Sequence, residues 1–184
     1  MDYYFNVLIL PDTEFPSSIV MNALYANFHK ALCDMRSVGI GVSFPKYNVT
    51  LGNTLRIHGN KDDLSNLYDL GWIGGMKSHC NVSSLMKTPE DTKFRVISRK
   101  QKTMSQSKLR RLLNRGSISK SEIKIYEDKI PSKNLKNPFI ELVSNSSKQK
   151  YRRYITFSEL LKYPVSGKFD QFGLSKVATI PWFE

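Results

Sequence analysis

Gly39-Ile40-Gly41-Val42-Ser43-Phe44-Pro45 and Leu55-Arg56-Ile57-His58-Gly59 are two short, largely apolar runs separated by a polar loop, and what flanks them decides the fold. Each has the length and residue content of a strand, and the loop between them makes a hairpin. Upstream, Val20, Leu24, Phe28, Ala31 and Met35 recur every three or four residues, the period of a helix with one apolar face. Ser17 or Ser18, after Pro16, is expected to cap it. Further upstream, Tyr3 to Leu10 alternates aromatic and aliphatic side chains and stops at Pro11-Asp12, as a strand ending in a turn does. Downstream, Asn60 precedes a second helix over 61–70, with Leu64, Leu67 and Leu70 on one side and Gly71 placed to end it. Val82 to Met86 and Phe94 to Ser98 are strand candidates beyond it. The order β, α, β, β, α, β over residues 1–98 is that of a ferredoxin-like domain, two split βαβ halves forming one antiparallel sheet with both helices on one face. Many RNA-binding modules share that order, but a fold assigns no function by itself.

Residues 99–184 read as a second, basic α+β domain. The chain of 184 residues holds 28 Lys and Arg against 16 Asp and Glu, a net charge of +12. The excess is concentrated: residues 93–153 hold 18 basic side chains against 4 acids, whereas residues 1–92 hold 7 against 9. Arg99 to Arg115 alone carries seven basic residues and no acid. Such a surface draws a polyanion, because each phosphate it neutralises releases condensed counterions. A neutral scaffold with one basic lobe fits nucleic-acid binding better than general solubility. Ser105 or Ser107 can cap a helix with Leu109, Leu112 and Leu113 on its apolar stripe, Lys108, Arg110, Arg111 and Arg115 elsewhere, and Gly116 at its end. Ser119 with Glu122 spells a capping box for another helix running to about Lys129, ahead of Pro131. Phe139 to Val143 and Tyr151 to Phe157 read as the strands of a hairpin with serines at its tip. Near the end, Gly173 permits a tight backbone path and Trp182 and Phe183 are expected to pack.

An apolar fraction of 40% over this length supports a buried core, so a globular protein is expected. No run of 18 apolar residues is present, and Met1-Asp2-Tyr3-Tyr4-Phe5 does not read as a secretory leader. A cytoplasmic protein with no membrane partner is expected, with Cys33 and Cys80 as reduced thiols. No GxxxxGK[ST] phosphate loop occurs, and Gly173-Leu174-Ser175-Lys176 reads as a structural turn rather than a phosphate cradle. A two-metal nuclease is disfavoured, since the basic third of the chain holds only Glu122, Glu127, Asp128 and Glu141, and Asp62 and Asp63 open a helix. Among the three histidines, His58 alternates with Ile57 in a strand and His79 precedes Cys80, both structural placements. His29 follows core-facing Phe28 and so lies about 100° around the helix from it. By position alone it also reads as a partly buried structural residue. RNA, however, carries its own nucleophile, the 2′-hydroxyl beside each phosphate. A histidine can take that proton near neutral pH, and cleavage then leaves a 2′,3′-cyclic phosphate and a 5′-hydroxyl without a metal. From the residues alone, such a nuclease, a catalytically silent RNA-binding subunit and a general basic nucleic-acid-binding protein all remain open.

A set of short motifs narrows this. Pro11-Asp12-Thr13-Glu14-Phe15-Pro16, Phe28-His29-Lys30-Ala31-Leu32, Ile40 to Pro45, Leu55-Arg56-Ile57-His58, Leu109-Arg110-Arg111, Pro138-Phe139-Ile140-Glu141-Leu142, and Gly173 to Lys176 followed by Pro181-Trp182-Phe183 occur in one order along the whole chain. Together they resemble the Csy-type endoribonuclease family of type I-F CRISPR systems, which cuts the repeat hairpins of precursor CRISPR RNA. The resemblance implies a metal-independent enzyme that needs no cofactor. It places the family's catalytic histidine on His29 and its catalytic serine, whose hydroxyl holds the attacking 2′-oxygen, on Ser144, with Ser146 as the second serine of that motif. It implies base reading at the foot of the stem by Arg99 and Gln101, a chemistry suited to guanine and adenine edges. It implies stacking of Tyr151 on the terminal base pair, and an arginine-rich helix along the stem over Lys108, Arg110, Arg111 and Arg115. The implied partners are the CRISPR RNA repeat hairpin, on whose mature product the enzyme stays bound, and the subunits of a Cascade-type CRISPR effector complex that this product joins. Phe172 departs from the pattern: it stands where the family has a tyrosine, keeping the ring and losing the hydroxyl. Leu112 and Gly116 stand where arginine occurs in the family.

Overall fold

The computed structural model describes residues 1–101, 106–128, 135–144 and 146–183. The protein is α+β with antiparallel sheets, and it gathers into two compact units, Met1–Arg99 with Asn137–Glu184, and Lys100–Lys136.

The first unit begins β1 (Tyr3–Ile9), α1 (Ser17–Met35), β2 (Gly41–Ser43), β3 (Thr54–Gly59), α2 (Lys61–Asp69), β4 (Cys80–Val82) and β5 (Met86–Lys87). Its main sheet runs β2-β3-β1-β4 with β5 also on β1, every pair antiparallel. Alternation along β1 buries Phe5, Val7 and Ile9 in one cluster with Val20, Leu24, Phe28, Leu32, Leu64 and Leu67 of the two helices. The entry to α1 differs from the expected serine cap. Pro16 is the cap residue, with no side-chain cap bond, and its carbonyl accepts the Ile19 N–H at 2.8 Å. Ser17 and Ser18 therefore lie inside the first turn. At α2 the expected signals hold: Asn60 accepts from the Asp63 N–H at 2.7 Å, and Gly71 follows the helix at φ +59.

Two strand expectations are broken by polar pairings that periodicity does not reveal. The candidate over 82–86 is split into β4 and β5 because Asn6 exchanges two bonds with Ser83, donating to Oγ and accepting from the N–H, each at 2.9 Å. The candidate over 94–98 is split at Val96 into β6 (Lys93–Arg95) and β7 (Ile97–Lys100), which enter different sheets. There the Val96 N–H donates to Ser158 Oγ at 2.9 Å, and its carbonyl accepts the Ser158 N–H at the same distance.

After the second unit come β8 (Phe139–Val143), β9 (Lys150–Phe157) and β10 (Ile180–Trp182). β8 and β9 form the expected hairpin and, with β7, a three-stranded sheet whose Ile97, Ile140, Leu142 and Ile155 join the α1 core. Asn22 of α1 accepts the Glu141 N–H at 2.9 Å, tying β8 to the helix. β10 pairs with β6. The returning C-terminus also covers the second face of β3. Arg56 donates to the Phe183 carbonyl at 2.6 Å, and its guanidinium lies 4.1 Å from the Phe183 ring. All of β3 is consequently buried, including His58, which bonds Ser43 Oγ at 2.8 Å.

The second unit contains α3 (Gln106–Asn114), a 3₁₀ turn over Lys120–Glu122 and α4 (Ile123–Asp128). Leu109 and Ile118 are buried, Leu112 and Leu113 half-buried, and Lys108, Arg110, Arg111 and Arg115 exposed. Gly116 turns the chain at φ +66 after α3. The Ser119–Glu122 box forms in part: the carboxylate accepts both the Ser119 N–H at 2.9 Å and its hydroxyl at 2.8 Å, which holds Glu122 below the ordinary carboxylate range. The proposed cap at Ser105, the Ser107 side chain and the expected helix end at Lys129 before Pro131 lie outside the described residues.

Candidate active site

Helix α1 presents His29 one position beyond buried Phe28, so the imidazole leaves the core at its rim, half-buried. The chain returns to it only near the C-terminus. Asp170 Oδ1 accepts the N–H groups of Phe172 and Leu174 at 2.9 and 3.0 Å, and the Gly173 N–H closes onto the Asp170 carbonyl at 2.8 Å. Gly173 holds φ +67, and a Cβ there would stand 3.0 Å from Val42 Cγ1 and 3.2 Å from Phe28 Cε1. Glycine is required both by the left-handed backbone and by the close approach. Its carbonyl accepts the Val42 N–H of β2 at 3.0 Å, docking the turn on the main sheet. Gly173 to Lys176 is thus a structural turn.

The docked turn places two groups against His29. The Gln171 carbonyl lies 2.7 Å from Nδ1, and the Phe172 ring stacks on the imidazole with centroids 3.6 Å apart and planes 12° apart. A carbonyl oxygen only accepts, so Nδ1 carries the proton and donates it. That tautomer leaves the Nε2 lone pair as the ring's basic site. Cys33, one turn further along α1, donates to Gln171 Oε1 at 3.3 Å; burial raises its thiol above the ordinary value, with Asp34 adding negative charge. Tyr25 donates its hydroxyl to the Phe172 carbonyl at 2.7 Å, and burial raises this phenol above its ordinary range. The ring of Phe172 therefore keeps a stacked place although it lacks a hydroxyl.

Ser144 ends β8. Its Oγ lies 3.1 Å from Ser146 Oγ and accepts the Ser147 N–H at 3.3 Å, while its backbone pairs with Gln149 and Lys148 to close the tip, Lys148 at φ +55. Tyr151 faces Leu142 across the hairpin and packs half-buried on the core. Arg99, on β7, sits near enough to Arg153 for the like charge to lower its guanidinium below the ordinary value, after the larger effect of burial. His29, Phe172, Tyr151 and Arg99 are thus carried by one unit, as are Ser144 and Ser146. Gln101, Lys108, Arg110, Arg111 and Arg115 belong to the other. Among the described residues no three His, Cys, Asp or Glu side chains converge as a metal site, and no helix is long and apolar enough to cross a membrane.

His58 and His79 are accounted for structurally. Burial holds His58 well below its ordinary value, with Arg56 adding like charge. His79 pairs with Asp12 at 3.1 Å. Sequence reading did not single out Arg153 or Gln171. Arg153 had a local signal, since Tyr151, Arg153, Ile155 and Phe157 share one face of β9 at period two, which sets a cation in an otherwise apolar row. Gln171 contributes a backbone atom, for which side-chain chemistry gives no signal.

The profile of the family described as CRISPR-associated protein (Cas_Csy4) matches residues 4–183. A curated relative from Escherichia coli (strain UTI89 / UPEC), named CRISPR-associated endonuclease Cas6/Csy4, is 38% identical over 184 residues, covering all of both chains. Another of that name, from Pseudomonas aeruginosa (strain UCBPP-PA14), is 34% identical over 187 residues, again covering all of both. A match over this length, at this identity, means that the chain belongs to the Cas6/Csy4 family of CRISPR-associated endonucleases.

Proposed function

We propose that the chain cuts precursor CRISPR RNA at the base of its repeat hairpin by attack of the RNA's own 2′-hydroxyl. The observation that carries this reading is the seating of His29, stacked on Phe172 and anchored through Nδ1–H on the Gln171 carbonyl. So held, Nε2 takes the 2′-hydroxyl proton while the Ser144 hydroxyl holds that oxygen. The 2′-oxygen bonds to phosphorus, the bond to the 5′-oxygen breaks, and that oxygen takes up a proton. The products are a 2′,3′-cyclic phosphate and a 5′-hydroxyl, and no step requires a metal.

The sheet order β2-β3-β1-β4 with α1 and α2 at their places in the sequence supports a ferredoxin-like reading of residues 1–98. Recognition falls to residues 99–184. Arg99 and Gln101 read bases at the foot of the stem, Tyr151 stacks on the terminal pair, and Lys108, Arg110, Arg111 and Arg115 make α3 and its end the arginine-rich stem grip. The exposure of those four cations supports that role. The protein works in the cytoplasm, stays bound to the mature CRISPR RNA and, with it, joins the subunits of a Cascade-type effector complex.

Incubating repeat RNA with the protein in EDTA tests activity, substrate and metal need together, and 5′-hydroxyl and cyclic-phosphate ends are expected. A 2′-deoxy nucleotide just upstream of the cut should abolish cleavage with binding nearly unchanged. Continued cutting of that RNA would remove the 2′-hydroxyl from the mechanism.

A further inference from the structure

Phe172 is held from both sides. The His29 ring lies 3.6 Å from its centroid, and the Cζ of Arg153 lies 3.4 Å from the same point. Two groups so close to one centroid cannot occupy the same face, so imidazole and guanidinium sandwich the phenyl ring. Arg153 is only 6% exposed, and its Nε has no hydrogen-bond partner among the described residues. Burying a polar group unsatisfied costs about 1–3 kcal/mol, and an apolar side chain would fill the slot without that penalty. Packing alone does not explain an arginine here.

The ring itself is short of fixings. A tyrosine could be anchored through its hydroxyl, but Phe172 has its backbone, its two faces and a looser contact with the Tyr25 ring, centroids 6.3 Å apart. The turn fixes the backbone through Asp170 Oδ1 and Tyr25 fixes the carbonyl. Rotation about the side-chain bonds is left to whatever covers the ring. A planar guanidinium is suited to that task, because it stacks on aromatic faces and is weakly hydrated. The β9 register, with Arg153 opposite Ile140, brings it there on a strand also tied to α1 through β8.

We propose that Arg153 is a positioning residue of this nuclease: it clamps Phe172 flat against His29, and through that ring holds the imidazole with Nδ1 on the Gln171 carbonyl and Nε2 toward the RNA. The inference rests on His29 acting in catalysis. Its effect belongs to the rate of cleavage, not to RNA affinity, and it exists only while the Phe172 ring is present.

A double-substitution cycle tests this, with single-turnover rates on repeat-hairpin RNA and affinities on its uncleavable 2′-deoxy form. Arg153→Gln and Phe172→Ala are each expected to slow cleavage about tenfold, with affinity within about twofold of parental. The double variant should cut no more slowly than Phe172→Ala alone, because the clamp then has nothing to hold. Rate losses that multiply in the double variant, or a loss of affinity in place of rate, would overturn the proposal. If Arg153→Gln does not melt cooperatively, Arg153→Lys decides. It keeps the buried charge but cannot lie flat on the ring, so a slowed rate supports the clamp and a parental rate refutes it. His29→Ala separates the two levels of the argument. If it still cuts at the parental rate, the histidine and this inference fall together. If it is inactive while Arg153→Gln is at parental rate, the inference alone is overturned.

Discussion

At the scale of single residues, His29 and Gly173 depend on one another although they lie far apart in the sequence. The glycine allows Phe172 to reach the imidazole, since any side chain at position 173 meets both an unfavourable φ of +67 and the walls formed by Val42 and Phe28. Gly173→Ala should therefore lower stability by about 1–3 kcal/mol. It should also slow cleavage, as the turn shifts away from α1. Denaturant midpoints and single-turnover rates on the same preparation check this, and parental values for both would mean that the turn relaxes at no expense. For His29→Ala the expectation is a cleavage rate reduced by roughly 10²-fold or more with RNA affinity retained, the size of a lost positioned acid or base. His58 gives a stability signal of its own. Folding holds its imidazole well below the ordinary value of 6.5 by burial, with Arg56 and the N-terminal ammonium adding like charge. The unfolded chain binds a proton near pH 6.5 and the folded chain does not. The contribution of this group is therefore complete above pH 6.5 and declines by about 1 kcal/mol per pH unit below it. Unfolding titrations from pH 8 to pH 5 should show that decline, and His58→Gln should flatten it. An unchanged slope in the variant would place the pH dependence elsewhere.

Elements whose signals are local were legible in the sequence. The α1 stripe, the Asn60 cap of α2 and the β8–β9 hairpin all follow from spacing and capping chemistry within a few residues. Elements fixed by distant partners were not. The breaks at Ser83 and Val96 depend on Asn6 and Ser158, the pairing of β10 with β6 spans most of the second half, and the 3₁₀ turn over Gly74–His79 has no periodic pattern to announce it. The candidate site divides in the same way. Nothing near His29 in the chain distinguishes it from a structural histidine, because Gln171 and Phe172 approach it only in the folded protein. It was the resemblance, not position, that pointed to it. For α3 the local pattern suffices for a prediction. Leu109 is buried while Arg111 is exposed, so Arg111→Ala leaves the apolar stripe intact. If Arg111 meets a phosphate, the variant should bind repeat RNA more weakly and its salt dependence should be shallower by about one unit of log–log slope. Affinities measured across a salt series check this, and an unchanged slope would assign Arg111 to base reading or packing instead.

At the scale of the whole molecule, the residues proposed for catalysis and much of the basic surface are carried by different parts of the chain. The first unit holds the seated histidine and the serine tip, while the second exposes Lys108, Arg110, Arg111 and Arg115. That division bears on what happens after the cut. In the proposed reaction the bond broken lies at the foot of the stem, whereas the stem's phosphates keep their charges and their spacing. Counterion release, which drives the binding, is thus nearly the same for the uncut hairpin and for the product that retains it. The protein should then behave as a single-turnover enzyme. With RNA in excess, one burst of product equal in amount to the protein is expected, followed by turnover limited by product release. The cut hairpin should bind about as tightly as its 2′-deoxy precursor, and raising the salt should speed release and the later phase together. Steady cleavage without a burst, or a product bound much more weakly than the uncleavable RNA, would mean that the contacts made across the scissile phosphate dominate affinity and that the basic helix is not the main grip.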